Sequence, residues 1–164
     1  MIVVEFSVRP ARVADHAAIR RLARTLAEFH GQDGVGGSAP VQPVVRQILR
    51  AAVLGLGSAV LVAEADGRVV GYTSARLVPG PLSLIIARFS PGAKSAYVDA
   101  VVVEDGWRGL GIGSELLEEV CRWARARGAG TVDLQVFEFN SSATTVYERS
   151  GWRTKKRTMT RPLD

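Results

Sequence analysis

The chain is poor in sulfur and imidazole: of its 164 residues one is cysteine, two are methionine and two are histidine. Cys121 has no partner for an internal disulfide, so a packed core must carry the fold, and the usage fits a reducing cytoplasm. No metal is expected. No apolar run approaches eighteen residues, and Met1-Ile2-Val3-Val4-Glu5 lacks a basic start with a long apolar stretch, so neither a membrane span nor a signal peptide is expected. Internal repeats and low-complexity tracts are also missing.

What is present is an apolar fraction of 47%, enough for one domain over 1–164 with a real core and short for two. The net charge of +5 invites a nucleic-acid reading. However, the excess lies in Arg20, Arg21 and Arg24 and in Arg153, Lys155, Lys156, Arg157 and Arg161, with no interleaved aromatics to stack on bases. These read as solvated faces, and nucleic acid is not the expected partner. A ligand with several phosphates, or an acidic acceptor, would suit the same positive field.

The most informative stretch runs from Tyr97 to Gly128. Tyr97-Val98-Asp99-Ala100-Val101-Val102-Val103 is short and β-branched and reads as a buried strand. From Ile112, the residues Leu116, Leu117, Val120, Trp123 and Ala124 recur at helical spacing, and Gly128 supplies the stop. Between them Arg108-Gly109-Leu110-Gly111-Ile112-Gly113-Ser114 forms a strand-to-helix turn. Its glycines remove the Cβ atoms that would keep an anion from the main-chain N–H groups. The first helical turn offers such groups unpaired at the positive end of the dipole, a seat for a pyrophosphate with Arg108 at its lip. A Walker loop is excluded because no Lys follows the glycines. A dinucleotide fingerprint needs wider glycine spacing than Gly111 to Gly113, and the roughly thirty residues after Asp133 are too few for a doubly wound sheet. A plain structural turn stays open on these residues alone.

Arg108, Gly111 and Gly113 in the pattern Arg-x-x-Gly-x-Gly resemble the acyl-CoA pyrophosphate loop of the GNAT superfamily of N-acetyltransferases. Asn140-x-x-Ala143-x-x-x-Tyr147-x-x-x-Gly151-Trp152 is similar to the second signature of that family, at the expected distance. The rest of the chain extends the likeness. A strand over Val3–Arg9 precedes a helix capped by Asp15, with Ala18, Ile19, Leu22, Leu26 and Phe29 inward and His16 exposed in its first turn. A glycine-dense loop over 31–38 and a second helix over Val41–Leu54, with Pro43 in its first turn and Val44, Ile48, Leu49 and Ala52 inward, follow. A hairpin from Ala59 to Leu77 turns at Asp66-Gly67. Beyond the central unit, Thr131–Phe137 reads as a strand with Val132, Leu134 and Val136 on one face, Asn140–Tyr147 as a short helix, and Trp152–Pro162 as a last edge strand. Pro79-Gly80-Pro81 breaks the sheet, and the apolar Leu82–Phe89 segment is a candidate homodimer contact.

The resemblance implies a mixed α/β fold: a central, mostly antiparallel twisted sheet with helices on both faces, whose strands over Tyr97–Val103 and Thr131–Phe137 splay to hold acyl-CoA. It implies acetyl-CoA as cosubstrate, an amine as acceptor, and direct transfer between them. The cosubstrate would meet the main chain of Val101, Val102 and Val103, the loop Arg108, Gly109, Leu110, Gly111, Ile112, Gly113 and Ser114, and Asn140 and Tyr147. Either Val101 or Val102 would supply an oxyanion donor, and Tyr147 would be the general acid, unless it only packs the helix. An alkyl amine of pKa about 10.4 is mostly protonated at pH 7, a deficit of about 4.6 kcal/mol, so a proton acceptor is needed. Asp99, placed by period two on the face of Tyr97, Val101 and Val103, where the family often has an acid, would serve as base or water relay or would have a structural or acceptor-positioning role. Glu104 and Asp105 read as loop residues. The acceptor pocket would draw on Glu28, Phe29, His30, Gln32 and Asp33 and on Phe137-Glu138-Phe139, a mixed-charge set without the dense acidity suited to a polyamine. A non-catalytic acyl-CoA sensor or a protein-interaction module on the same fold is the rival, against which Tyr147 speaks.

Overall fold

A computed structural model of the protein describes residues 5–30, 46, 49–78 and 94–159, with the side chains of 29 and 30 left aside. Five strands form one sheet in chain order: Ser7–Pro10 (β1), Ser58–Ala65 (β2), Arg68–Val78 (β3), Lys94–Val103 (β4) and Ala129–Leu134 (β5). The first three junctions are antiparallel and the last, β4 with β5, is parallel. Helices span His16–His30 (α1), Ile112–Ala126 (α2) and Ser141–Arg149 (α3), and residues 49–53 are helical as well. The expected mixed α/β architecture, mostly antiparallel with helices on both faces, is therefore the architecture found.

Period two in the strands divides the sheet into two apolar faces. On one, Ile19, Leu22 and Ala23 of α1 and Leu49 pack on Val60, Val62, Val69, Tyr72 and Val102. On the other, Ile112, Leu116, Leu117 and Val120 of α2 pack on Leu61, Ala63, Val70, Ala75 and Val98. The amphipathic spacing of both helices thus finds the burial it predicts. Asp66-Gly67 closes the β2–β3 hairpin with both residues at positive φ (50° and 71°), the two-residue turn that fits strand twist.

Four local expectations are corrected. β1 begins at Ser7, and Glu5 and Phe6 are outside it. Asp15 ends a short 3-10 turn and directs its carboxylate back to the Arg12 N–H (2.6 Å) and the Arg9 guanidinium (2.8 Å), so it anchors the approach to α1 instead of capping it. His16 is half-buried, with a shielded Nε2 that has no partner among the described residues. Residues 152–159 form no strand: Lys155 and Arg157 reach Asp133 and Glu138 through side chains, and this basic run makes no main-chain ladder with β5. The expectations for Val3–Val4, the 31–38 loop, residues 41–45 and 47–48, the 79–93 segment with its dimer contact, the Phe29 and His30 side chains, and the chain beyond 159 lie outside what is described.

Candidate active site

β5 is shorter than its sequence pattern. It ends at Leu134, so Val136 and Phe137 lie past it and are exposed. Pairing with β4 ends at Val98↔Leu134, yet β4 continues for another five residues, to Val103. Along this free half the main-chain directions can be assigned. The Glu104 N–H donates to Val70 O at 2.9 Å, and Ala100 O accepts from the Thr73 hydroxyl at 2.8 Å. Antiparallel alternation then turns Ala100 and Val102 toward β3, and Val101 and Val103 toward the opposite edge, where β5 has diverged. Of the two candidate donors, Val101 therefore faces the opening and Val102 faces the ladder.

The opening starts at a bulge. Ser74 pairs with Ala100 but Ala75 with Val98, which leaves Asp99 as the extra residue. The insertion shifts the face parity, so Val98, Val101 and Val103 border the α2-side cluster while Ala100 and Val102 border the α1-side cluster. The expected placement of Asp99 with Val101 and Val103 is thereby overturned. Its carboxylate instead contacts the Arg76 guanidinium, whose Cζ lies 5.0 Å over the Tyr97 ring. The residue is exposed overall although its side chain is 22% exposed, so the uncovered part is mainly backbone, as an open edge requires. Burial raises the Tyr97 phenol, with Arg76 acting against it and Asp133 with it.

At the end of β4 the chain passes through a 3-10 turn, Asp105–Trp107, into the glycine loop. Gly109 and Gly111 hold φ of +77° and +84°, and apart from their chain neighbours no atom of the described residues lies within 4 Å of where their Cβ atoms would be. A side chain there would meet backbone strain before any neighbour, and the space it would fill is open. The Glu115 N–H returns to Gly111 O at 3.0 Å, the first intrahelical bond, while the N–H groups of Ile112, Gly113 and Ser114 have no acceptor among the described residues. Arg108 is fixed beside them by Val103 O (3.1 Å) and Asp105 (2.8 Å) with its guanidinium still exposed. Leu110 is exposed at the crest of the loop. Glu104, paired with Arg68 and Arg21, is a turn residue as expected.

The second motif has a local explanation. Asn140 caps α3 by accepting the Ala143 N–H at 3.2 Å, and its amide NH2 has no partner among the described residues. At the other end Gly151 adopts φ +85°, the Gly151 N–H donates to Glu148 O and the Trp152 N–H to Tyr147 O (3.0 Å). This is the paired bonding of a Schellman stop, with Trp152 packed back on Tyr147 at 6.3 Å between ring centroids. Gly151-Trp152 thus orients Tyr147 against the cluster that Val101, Val103 and Leu134 also border. Burial raises the Tyr147 phenol, which is protonated at neutral pH. Glu28 lies at a distance from this group, on the outer surface of α1 with Arg20, Arg21 and Arg24.

Two residues of the site carried no obvious mark in the sequence. Gly71 on β3 is buried beneath α2, and a Cβ there would fall 2.9 Å from Val102 O and 3.4 Å from Leu116. An isolated glycine in a strand pattern is the available signal for such an approach. Arg76 sits in the same strand at an exposed position, and only the bulge across from it explains its neighbour.

The family model for the acetyltransferase (GNAT) family matches residues 20–152. The uncharacterized N-acetyltransferase YhfO of Bacillus subtilis is 30% identical over 150 residues, 89% of either chain. The glucosamine 6-phosphate N-acetyltransferase of Trypanosoma brucei brucei is 26% identical over 106 residues, and the match spans 64% of this chain and 65% of that enzyme. Among solved structures, a variant of the BH1408 protein of Bacillus halodurans superposes with a TM-score of 0.81 at 28% identity, covering 96% of this chain and 99% of that one. With a glycine cradle, an opened strand pair and a family match running through both, the chain belongs to the GNAT family of acetyltransferases.

Proposed function

We propose that the protein, as a single domain, transfers the acetyl group of acetyl-CoA directly to a primary amine. The observation that carries this reading is the run of unpaired N–H groups at Ile112, Gly113 and Ser114 beside Arg108, continuous with the open edge of β4. The cradle takes the diphosphate, with Gly109, Leu110 and Gly111 shaping its wall, and the open edge at Val101 and Val103 takes the pantetheine arm as a strand would. Asn140 offers its free amide to the same arm.

The amine attacks the thioester carbon, and negative charge develops on the carbonyl oxygen, toward which the Val101 N–H is directed. Collapse breaks the C–S bond and restores the carbonyl, the nitrogen sheds its second proton to water through Asp99, and the departing sulfur accepts a hydrogen bond or proton from the Tyr147 phenol. Because burial raises that phenol, full transfer to a thiol of pKa about 8.5 is uphill, and the gain lies in a strong hydrogen bond as sulfur gains charge. Asp99 holds the incoming ammonium and relays its proton to water. Its contact with the Arg76 guanidinium keeps the carboxylate at the mouth of the opening, where an incoming cation would meet it.

Calorimetric titration with acetyl-CoA, followed by thiol release across an amine panel, tests the reading. Binding with release is expected. Binding without release for any amine would favour a sensor, and no binding would refute the cradle.

A further inference from the structure

Acetyl transfer as described leaves Arg76 without a task, although it stands in contact with Asp99 at the mouth of the opening. The guanidinium lies over the Tyr97 ring and is 52% exposed, and one of its nitrogens, Nη1, makes the contact with Asp99 Oδ1. Its remaining nitrogens, and the second Asp99 oxygen, have no partner among the described residues. A cation and an anion therefore stand side by side, each half-used, on the α1 face of the sheet, opposite the face that Tyr147 borders.

A simple amine on the second Asp99 oxygen would leave the outer edge of the Arg76 guanidinium without an anion as the mouth loses water. An amine that also carries an anion meets both groups at once: its anion takes the free edge of the Arg76 fork and its ammonium takes Asp99. No charge is then left without a partner as the mouth loses water, the condition under which a desolvated ion pair is tolerated. The Tyr97 ring, 5.0 Å from Arg76 Cζ, holds the guanidinium in place at the mouth.

Building on the acetyl-transfer reading, we propose that the acceptor is zwitterionic, with a carboxylate or phosphate a few bonds from the reacting nitrogen, and that Arg76 selects it. The test compares kcat/KM for matched acceptors, β-alanine against β-alaninamide and 2-aminoethyl phosphate against ethanolamine, in the wild type and in Arg76→Gln and Arg76→Lys. In Arg76→Gln the ratio of anionic to neutral acceptor falls by about tenfold to hundredfold for at least one pair, and Arg76→Lys restores part of it. Amine basicity cancels because each pair is compared between proteins. The pair that responds identifies the anion, and an unchanged ratio in both pairs overturns the proposal.

Calorimetry on the CoA-saturated protein separates this inference from the reading beneath it. Arg76-dependent binding of a zwitterion without thiol release upholds the subsite and refutes transfer. Acetylation of neutral amines, with zwitterions neither bound nor acetylated, upholds transfer and refutes the subsite.

Discussion

Replacing Gly71 by alanine tests whether the site depends on the close approach of α2 to the sheet. The new methyl would lie 2.9 Å from Val102 O, 3.4 Å from Leu116 Cδ1 and 3.5 Å from Ile112 Cγ2. None of these yields freely: the carbonyl belongs to the sheet backbone, and Leu116 and Ile112 are 0% and 1% exposed. Overpacking a filled core costs about 1–3 kcal/mol, against which loss of chain entropy in the unfolded state returns about 0.4–1 kcal/mol. The difference spans about 0–2.6 kcal/mol, and with three unyielding neighbours the upper part, about 1–2.6 kcal/mol, is expected, a fall in Tm of about 2–10 °C for a chain of this length. Ile112 opens the cradle, so the displacement should weaken acetyl-CoA binding as well. Gly113→Ala is the control for stability, since its Cβ meets Val103 Cγ2 at an ordinary 3.7 Å. Thermal melts followed by circular dichroism decide the matter. An unchanged or raised Tm for Gly71→Ala would refute the reasoning, because alanine in an unconstrained strand position is expected to stabilise.

Tyr147→Phe should lower turnover by about tenfold to thousandfold with little change in acetyl-CoA affinity, and unchanged turnover would remove the acid role. Gly113→Asp, which places a carboxylate among the unpaired N–H groups, should abolish calorimetric binding of acetyl-CoA while the dichroism spectrum persists, and normal binding would contradict the cradle. The Asp15 carboxyl is held below its ordinary value, chiefly by the hydrogen bond from Arg9. Its contribution is therefore present above about pH 4 and lost as the pH falls further, and urea midpoints of Asp15→Asn should show a flatter acid limb than the wild type. Burial pushes the Tyr72 phenol up to about 12. Stability tied to it holds below about pH 10 and declines above it, a limb that Tyr72→Phe should blunt.

The features legible in the sequence are those whose chemistry is local. Gly109 and Gly111 announce positive φ and an uncovered backbone, Asn140 announces a cap, and Gly151-Trp152 encodes a complete helix stop that fixes Tyr147. Asp66-Gly67 specifies its own turn. What escaped depends on partners far along the chain. Val101 and Val103 part from the face of Asp99 because one inserted residue reverses the parity of everything after it, and no periodicity within β4 reveals the mismatch with β3. β5 stops at Leu134 because the strand it pairs with diverges, although Val136 continues the alternation. The basic alternation after Trp152 has the spacing of an edge strand, but its attachments to Asp133 and Glu138 are made by side chains alone.

The first four strands follow one another as neighbours, whereas β5 reaches β4 only by a crossover through α2. The opening therefore coincides with the seam between the antiparallel strands and the strand joined in parallel through a crossover helix. On the acetyl-transfer reading, a coenzyme arm lying in that seam would act as a strut, and at a hundredfold excess over its Kd it would add about 2.7 kcal/mol to the folded state. Cellular coenzyme supply would then govern how long each molecule withstands proteolysis as well as how fast it turns over.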